Sequence, residues 1–280
     1  MTPEDAYCRR LLRGHYENFW VASPLVPRAL RPDLARVYAY CRTVDDLGDE
    51  SQDREDARQR LLLWQADVRR IWAGGTPAHP VLVALRGTVT AHSLTPEPFL
   101  DLIDANLQDQ EVASYAGWGP LLDYCRRSAA PVGRIVLHLF GMARPVLLDA
   151  SDNVCIGLQL ANFAQDVAVD REKGRAYLPQ SEIDDRGLRG AVEATCRRAR
   201  AMLDSGHALE AATRGGLRVQ LALYRTGGEA VLDAIEEAGY RTDEVRPTVS
   251  MATKVRLMGG ALRRRSARGK DADEQYVHTA

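Results

Sequence analysis

Apolar residues recur at spacings of three and four along almost the whole chain, which is the period of one buried face of an α-helix. No stretch of strict apolar and polar alternation is longer than about four residues, and the hairpin dipeptides Asn-Gly and Asp-Gly do not occur. The sequence therefore predicts an all-α fold. The predicted helices cover residues 4–20, 32–50, 54–73, 79–92, 97–113, 118–129, 131–146, 150–172, 189–212, 215–224, 227–238 and 247–263.

Glycine and proline clusters separate several of these helices. They lie at residues 74–77, 117–120 and 227–228, and none is long enough to act as a linker between domains. We therefore expect a single all-α domain over residues 1–262. The polar segment 263–280 begins with three arginines, which suits either a frayed terminus or weak attraction to anionic lipid.

Composition excludes several classes of function. With 37 basic and 38 acidic residues among 280, the chain has no overall attraction for nucleic acid. Five scattered cysteines without CxxC spacing indicate neither a disulfide framework nor a zinc site, and fit a reducing cytosol. Residues 1–15 are too charged for a signal peptide, and the apolar run 135–148 is too short to span a bilayer. We expect a cytoplasmic protein that is at most peripheral to a membrane.

The first acidic segment, residues 34–50, carries carboxylates on the side of a predicted helix that should face the core. At 100° per residue, Asp45 and Asp49 fall within about 60° of Leu34, and Arg42 follows close by. Two buried carboxylates one turn apart repel each other and require a cation. A structural ion pair between Asp45 and Arg42, or an acidic helix end in solvent, would explain the same pattern.

The second acidic segment, residues 156–170, repeats this arrangement. Leu160, Phe163 and Val167 form its apolar stripe. An ordinary surface helix would place its carboxylates on the opposite side, close to basic partners. Here the polar stripe borders the apolar one and consists of Gln159, Asn162, Asp166 and Asp170.

Two helices of this kind can face each other across a cavity and hold divalent cations. Magnesium suits such a site because it takes one or two carboxylates, keeps waters and completes its shell with phosphate oxygens. A diphosphate would account for the number of carboxylates, and Arg42, Lys173 and Arg175 would complete the anion site. The expected chemistry is the departure of diphosphate with electrostatic stabilisation of the leaving group.

The motifs resemble those of the squalene and phytoene synthase family. They are DDLGDE at 45–50, ENFWVAS at 17–23, and LQLANFAQDVAVD at 158–170 with its continuation to residue 179. The resemblance extends from about residue 10 to residue 260 and preserves the spacing between motifs. It implies an isoprenoid-synthase-type helical bundle around a central cavity, in which three magnesium ions promote ionisation of a prenyl diphosphate inside an apolar tunnel.

The same resemblance implies roles for individual residues. The expected metal ligands are Asp45, Asp49, Asn162, Asp166 and Asp170. The expected catalytic residues are Tyr38, Arg42 and Tyr124. The expected substrate-binding residues are Asn18, Phe19, Gln159, Gln165, Lys173 and Arg175.

Two departures from the family pattern indicate a branch. Gln165 stands where phytoene synthase-like members carry an arginine, and Gly228 stands where a tyrosine is common. The chain is most similar to the hydroxysqualene synthases of bacterial hopanoid pathways. That similarity implies conversion of presqualene diphosphate to hydroxysqualene by diphosphate loss, cation rearrangement and capture by water.

Two alternatives remain open at this point. The chain could condense two prenyl diphosphates to presqualene diphosphate, squalene or phytoene, or it could be an inactive assembly protein with this fold. The expected partners are a prenyl diphosphate substrate, other enzymes of squalene synthesis, and a peripheral contact at the inner face of the membrane.

Overall fold

The computed structural model of the chain describes residues 2–14 and 26–267, with side chains for 2–12 and 26–261. Within these residues the regular elements are helices, which confirms the predicted all-α class. A short 3₁₀-helix occupies Arg28–Leu30. The α-helices are α1 (Pro3–Gly14), α2 (Arg31–Asp49), α3 (Arg54–Arg69), α4 (Pro80–His92), α5 (Glu97–Glu111), α6 (Trp118–Ser128), α7 (Ala130–Leu139), α8 (Pro145–Gln165), α9 (Val167–Glu172), α10 (Gln180–Leu203), α11 (Gly206–Ala212), α12 (Gly215–Glu237) and α13 (Met251–Ala267).

The first compact unit comprises residues 1–152 and contains α1 to α7. Its core is apolar and includes the buried phenol of Tyr40. The Tyr40 hydroxyl donates a hydrogen bond of 2.7 Å to the carbonyl of Phe99, and the two rings meet edge to face at 5.1 Å. Because a buried hydroxyl without a partner would be costly, this bond fixes α2 against α5.

The second compact unit comprises residues 153–280 and contains most of α8 together with α9 to α13. Its interior includes a charged cluster beside the apolar core. Arg225 is 4% exposed and contacts Glu210 at 2.6 Å and Glu229 at 2.7 Å. The two carboxylates compensate a guanidinium that could not stay buried alone, and the pair with Glu210 joins α11 to α12.

Several helix boundaries differ from the prediction. The break expected at residues 227–228 is wrong, because α12 continues through both glycines. Gly228 is buried, and a Cβ atom there would lie 2.7 Å from Leu158 and 3.0 Å from Leu203. Glycine at position 228 therefore permits close packing of α8, α10 and α12, and it does not end a helix.

Other predicted helices are divided in the structure. The segment predicted at 150–172 forms α8 and α9, with a break at Asp166, whose φ and ψ are −102° and 21°. The segment predicted at 189–212 forms α10 and α11. The last helix begins at Met251 and continues past the predicted start of the polar tail. No helix in the described part of the chain combines the length and the apolar character that a membrane span requires.

The adjacent glycines of α12 provide a matched test of this packing. Gly227→Ala should stabilise the protein by up to about 1 kcal/mol, because alanine favours the helix and the new methyl group meets no atom within 4 Å. Gly228→Ala gains the same propensity but should be less stable than Gly227→Ala by about 1 to 3 kcal/mol, because Leu158 and Leu203 must move. Urea denaturation of both variants measures the difference. Equal stabilisation by the two substitutions would contradict this account.

Candidate active site

The acidic end of α2 borders the core and does not enter it. The buried face of the helix includes Val37, Tyr40 and Val44, whereas Asp45 and Asp49 are exposed. The expectation that both carboxylates face the core is therefore wrong. The buried stripe is centred on the side of Tyr40 and Val44, so the carboxylates lie at its edge, where water still reaches them.

Arg42 pairs with a carboxylate one turn away on the same helix. Its Nη2 atom lies 2.6 Å from Asp46 and 3.4 Å from Glu50. Arg42 therefore pairs with Asp46 and not with Asp45, which was one of the alternatives that the sequence left open. Its charge still acts on Asp45, one of the predicted metal ligands of α2.

Close packing of α5 shapes the surroundings of Asp45. A Cβ atom at Gly48 would lie 2.5 Å from the Asn106 side-chain oxygen, so the glycine lets α5 approach. The Asn106 side chain then hydrogen-bonds Asp45, and Gln110 donates to the Gly48 carbonyl at 3.3 Å. Asn106 and Gln110 were not among the predicted site residues, since nothing in their local spacing indicates which helix they will meet.

The pKa of Asp45 is raised from 3.8 to about 7. Loss of hydration is the largest cause, and the like charge of Asp49 adds to it. The hydrogen bond from Asn106 and the charge of Arg42 act in the opposite direction. A bound cation would favour the ionised form of this accessible carboxyl.

The two tyrosines predicted as catalytic lie in different surroundings. Tyr38 is half-buried on α2, and burial raises its pKa while Arg42 opposes the shift. Tyr124 is 3% exposed, and its hydroxyl donates a bond of 2.6 Å to Asp109. The Tyr115 ring lies 5.5 Å from the Tyr124 ring. In this structure the Tyr124 hydroxyl is therefore held within the contact between α6 and α5.

The second unit presents the other predicted ligands along the end of α8 and on α9. Leu160 and Phe163 are buried as predicted. Gln159 is half-buried and Asn162 is exposed, so their polar groups border the core and remain accessible. The carboxylates of Asp166 and Asp170 are half-buried. Of the basic residues that follow, Lys173 is exposed and Arg175 is half-buried.

Arg246 is a functional candidate that the sequence analysis missed. Its guanidinium contacts both carboxylate oxygens of Asp166, at 2.5 Å and 3.2 Å. The adjoining Pro247 carbonyl accepts a bond of 2.6 Å from the Gln165 amide, and Gln165 is 7% exposed. These contacts hold the segment after α12 against the end of α8. The contact arises between residues 80 positions apart, so local spacing carried no signal for it.

Two predicted substrate-binding residues, Asn18 and Phe19, lie outside the described residues. Within the described residues, no group of three or more His, Cys, Asp or Glu side chains stands close enough to hold a metal. The donors are nevertheless hard oxygen ligands, which suit magnesium. The repulsion between Asp45 and Asp49 is what a divalent cation would relieve, and Asp166 already accepts a cationic group. The residues therefore fit a divalent metal.

Comparison with known proteins gives a consistent result. Residues 12–253 match the family model described as squalene/phytoene synthase. The hydroxysqualene synthase of Zymomonas mobilis is 34% identical over 220 residues, which are 77% of this chain and 71% of that protein. The presqualene diphosphate synthase of Rhodopseudomonas palustris is 31% identical over 188 residues, which are 67% of this chain and 66% of that protein.

A solved structure is also similar. The crystal structure of the squalene synthase HpnC from Alicyclobacillus acidocaldarius superposes with a TM-score of 0.79 at 42% sequence identity. The match covers 85% of this chain and 94% of that chain.

The raised pKa of Asp45 predicts a pH-dependent effect on stability. In the unfolded chain the carboxyl ionises near 3.8, whereas in the folded protein it ionises near 7. Ionisation therefore opposes folding, and this effect is absent below about pH 4 and complete above about pH 7. With EDTA present, Asp45→Asn should raise the Tm relative to wild type more at about pH 8 than at about pH 5.

Asp49→Asn tests the cause of the shift. It removes the like charge but leaves Asp45 poorly hydrated, so it should reduce the pH dependence without abolishing it. Thermal denaturation followed by circular dichroism measures both variants. An Asp45→Asn effect of equal size at the two pH values would show that the assigned cause is wrong.

Proposed function

Because the chain belongs to the squalene/phytoene synthase family and is an enzyme of that family, we propose that it converts presqualene diphosphate to hydroxysqualene. One observation supports this choice of reaction. The two residues that differ from the pattern of the condensing enzymes, Gln165 and Gly228, both take part in contacts within the protein. Gln165 directs its amide to the Pro247 carbonyl, and Gly228 is enclosed by Leu158 and Leu203. Neither position can offer a cationic or phenolic side chain to a second diphosphate.

The carboxylates and amide of the two acidic segments would hold the metal on which the family generally depends. When bound, magnesium supplies positive charge that stabilises the departing diphosphate. We propose three ions, as the resemblance implies. The proposal requires both segments to serve one diphosphate within a single domain of residues 1–262. The proposed ligands are Asp45, Asp49, Asn162, Asp166 and Asp170.

The basic residues have a separate task. Lys173 and Arg175 follow the second acidic segment and would bind diphosphate oxygens, as would Arg42 beside the first. Heterolysis of the carbon–oxygen bond sends its electron pair to diphosphate. The cyclopropylcarbinyl cation that remains would rearrange against apolar walls, which contain no competing nucleophile. Water then forms the new carbon–oxygen bond and loses a proton, so the reaction needs no reductant.

Condensation of two prenyl diphosphates is the second candidate, favoured by the similarity to a presqualene diphosphate synthase. Substrate choice separates the two reactions. With presqualene diphosphate, Mg²⁺ and ¹⁸O-labelled water, we expect hydroxysqualene that carries the label, without NADPH. Efficient conversion of farnesyl diphosphate alone to a C30 product, or squalene formed only with NADPH, would overturn the proposal.

Substitution of one ligand in each segment tests the proposed metal site. Asp45→Asn and Asp166→Asn should each abolish diphosphate release from presqualene diphosphate and leave the helical circular dichroism spectrum unchanged. Asp204→Asn removes an exposed carboxylate outside both segments and serves as the matched control. Turnover of the wild type in excess EDTA would contradict the assignment.

A further inference from the structure

Tyr224 on α12 is surrounded by protein and still accessible. Burial raises the pKa of its phenol to about 12, with a smaller contribution from Cys155. The residue nevertheless keeps 39% of its surface exposed. A side chain that retains this much accessible surface borders open space. At neutral pH its phenol is uncharged.

The Tyr224 hydroxyl has no hydrogen-bond partner among the described residues. Two other phenols of the chain, Tyr40 and Tyr124, donate to protein oxygens at 2.7 Å and 2.6 Å. A hydroxyl that lacks a protein partner is satisfied by water or by a ligand. The space beside Tyr224 is therefore suited to hold a water molecule.

The packing of α12 on α8 places Tyr224 beside the helix that carries the predicted substrate-binding residue Gln159. Gly228 lies one turn from Tyr224, and a Cβ atom there would lie 2.7 Å from Leu158. Cys155, which influences the Tyr224 phenol, is three residues from Leu158 and four from Gln159. Four residues of helix span about 6 Å. Tyr224 thus faces α8 about one turn from Gln159.

The surface next to Tyr224 is also open. Gly227 lies three residues farther along α12, on the same side of the helix as Tyr224. No atom lies within 4 Å of the position that a Cβ atom of Gly227 would occupy. The helix therefore presents a phenol next to open space that a ligand or water can enter.

We propose that the Tyr224 hydroxyl holds the water that captures the final carbocation. This inference rests on the function proposed above. The water donates a hydrogen bond to the phenol oxygen and directs a lone pair to the cationic carbon, so that a carbon–oxygen bond forms. The proton released from the resulting oxonium passes to the departed diphosphate. Tyr224 keeps its own proton and acts as a positioning residue.

Tyr224→Phe removes the hydroxyl and keeps the ring. Without the held water, the cation should lose a proton to form an alkene more often, so the ratio of hydroxysqualene to C30 alkene should fall about five- to tenfold. Diphosphate release from presqualene diphosphate should stay within about twofold of wild type. Tyr240→Phe, at a half-buried tyrosine beyond the end of α12, is the matched control and should leave the ratio unchanged.

Each outcome decides the proposal. An unchanged product ratio in Tyr224→Phe, or equal losses of alcohol and of diphosphate release, would overturn it, because the second result indicates a structural role. A crystal structure of the wild type gives an independent answer if the variant does not fold. A water within hydrogen-bond distance of the Tyr224 oxygen supports the proposal, and its absence refutes it. If the wild type releases no diphosphate from presqualene diphosphate, the proposed function fails separately, and the crystal structure alone decides the water site.

Discussion

A carboxylate that loses its hydration must gain a positive partner or a proton, and this requirement organises both acidic segments. Asp46 has Arg42 at 2.6 Å, and Asp166 has Arg246 at 2.5 Å. Asp45 is compensated only in part, because the guanidinium of Arg42 lies on Asp46, and its pKa rises to about 7. Asp45, whose negative charge is destabilising without a bound cation, is one of the proposed metal ligands. Cation binding would therefore relieve the existing repulsion between Asp45 and Asp49.

Small residues determine which polar groups reach these carboxylates. Gly48 leaves room for the Asn106 side chain, which contacts Asp45, and Gly228 leaves room for the Leu158 side chain of α8. In both cases the missing side chain is replaced by a side chain from a neighbouring helix, which determines which groups lie beside the site. A methyl group added at either position would therefore alter the polar surface of a helix that carries predicted ligands.

The sequence predicted the all-α class and the apolar stripe of α8, because apolar periodicity indicates which side of a helix packs against the core. It failed where the answer depends on a partner distant in sequence. The two adjacent glycines of α12 predicted a helix break, whereas in the structure the helix continues and Leu158 and Leu203 enclose Gly228. Arg246 reaches Asp166 across 80 residues, and the edge position of Asp45 depends on how α2 packs. Local spacing records amphipathicity, whereas these contacts are set by tertiary packing.

Capture of a carbocation by water places opposite demands on the surrounding protein. The walls must contain no nucleophile, yet one polar atom must hold the water in place. A phenol meets both demands because it is protonated at neutral pH, and a neutral hydroxyl can accept a hydrogen bond from water without attacking carbon as a phenolate would. The Tyr224 side chain keeps 39% of its surface exposed on α12, next to the open position at Gly227, so its hydroxyl is a polar atom of this kind. A carbocation can therefore meet a held water there without meeting a charged nucleophile.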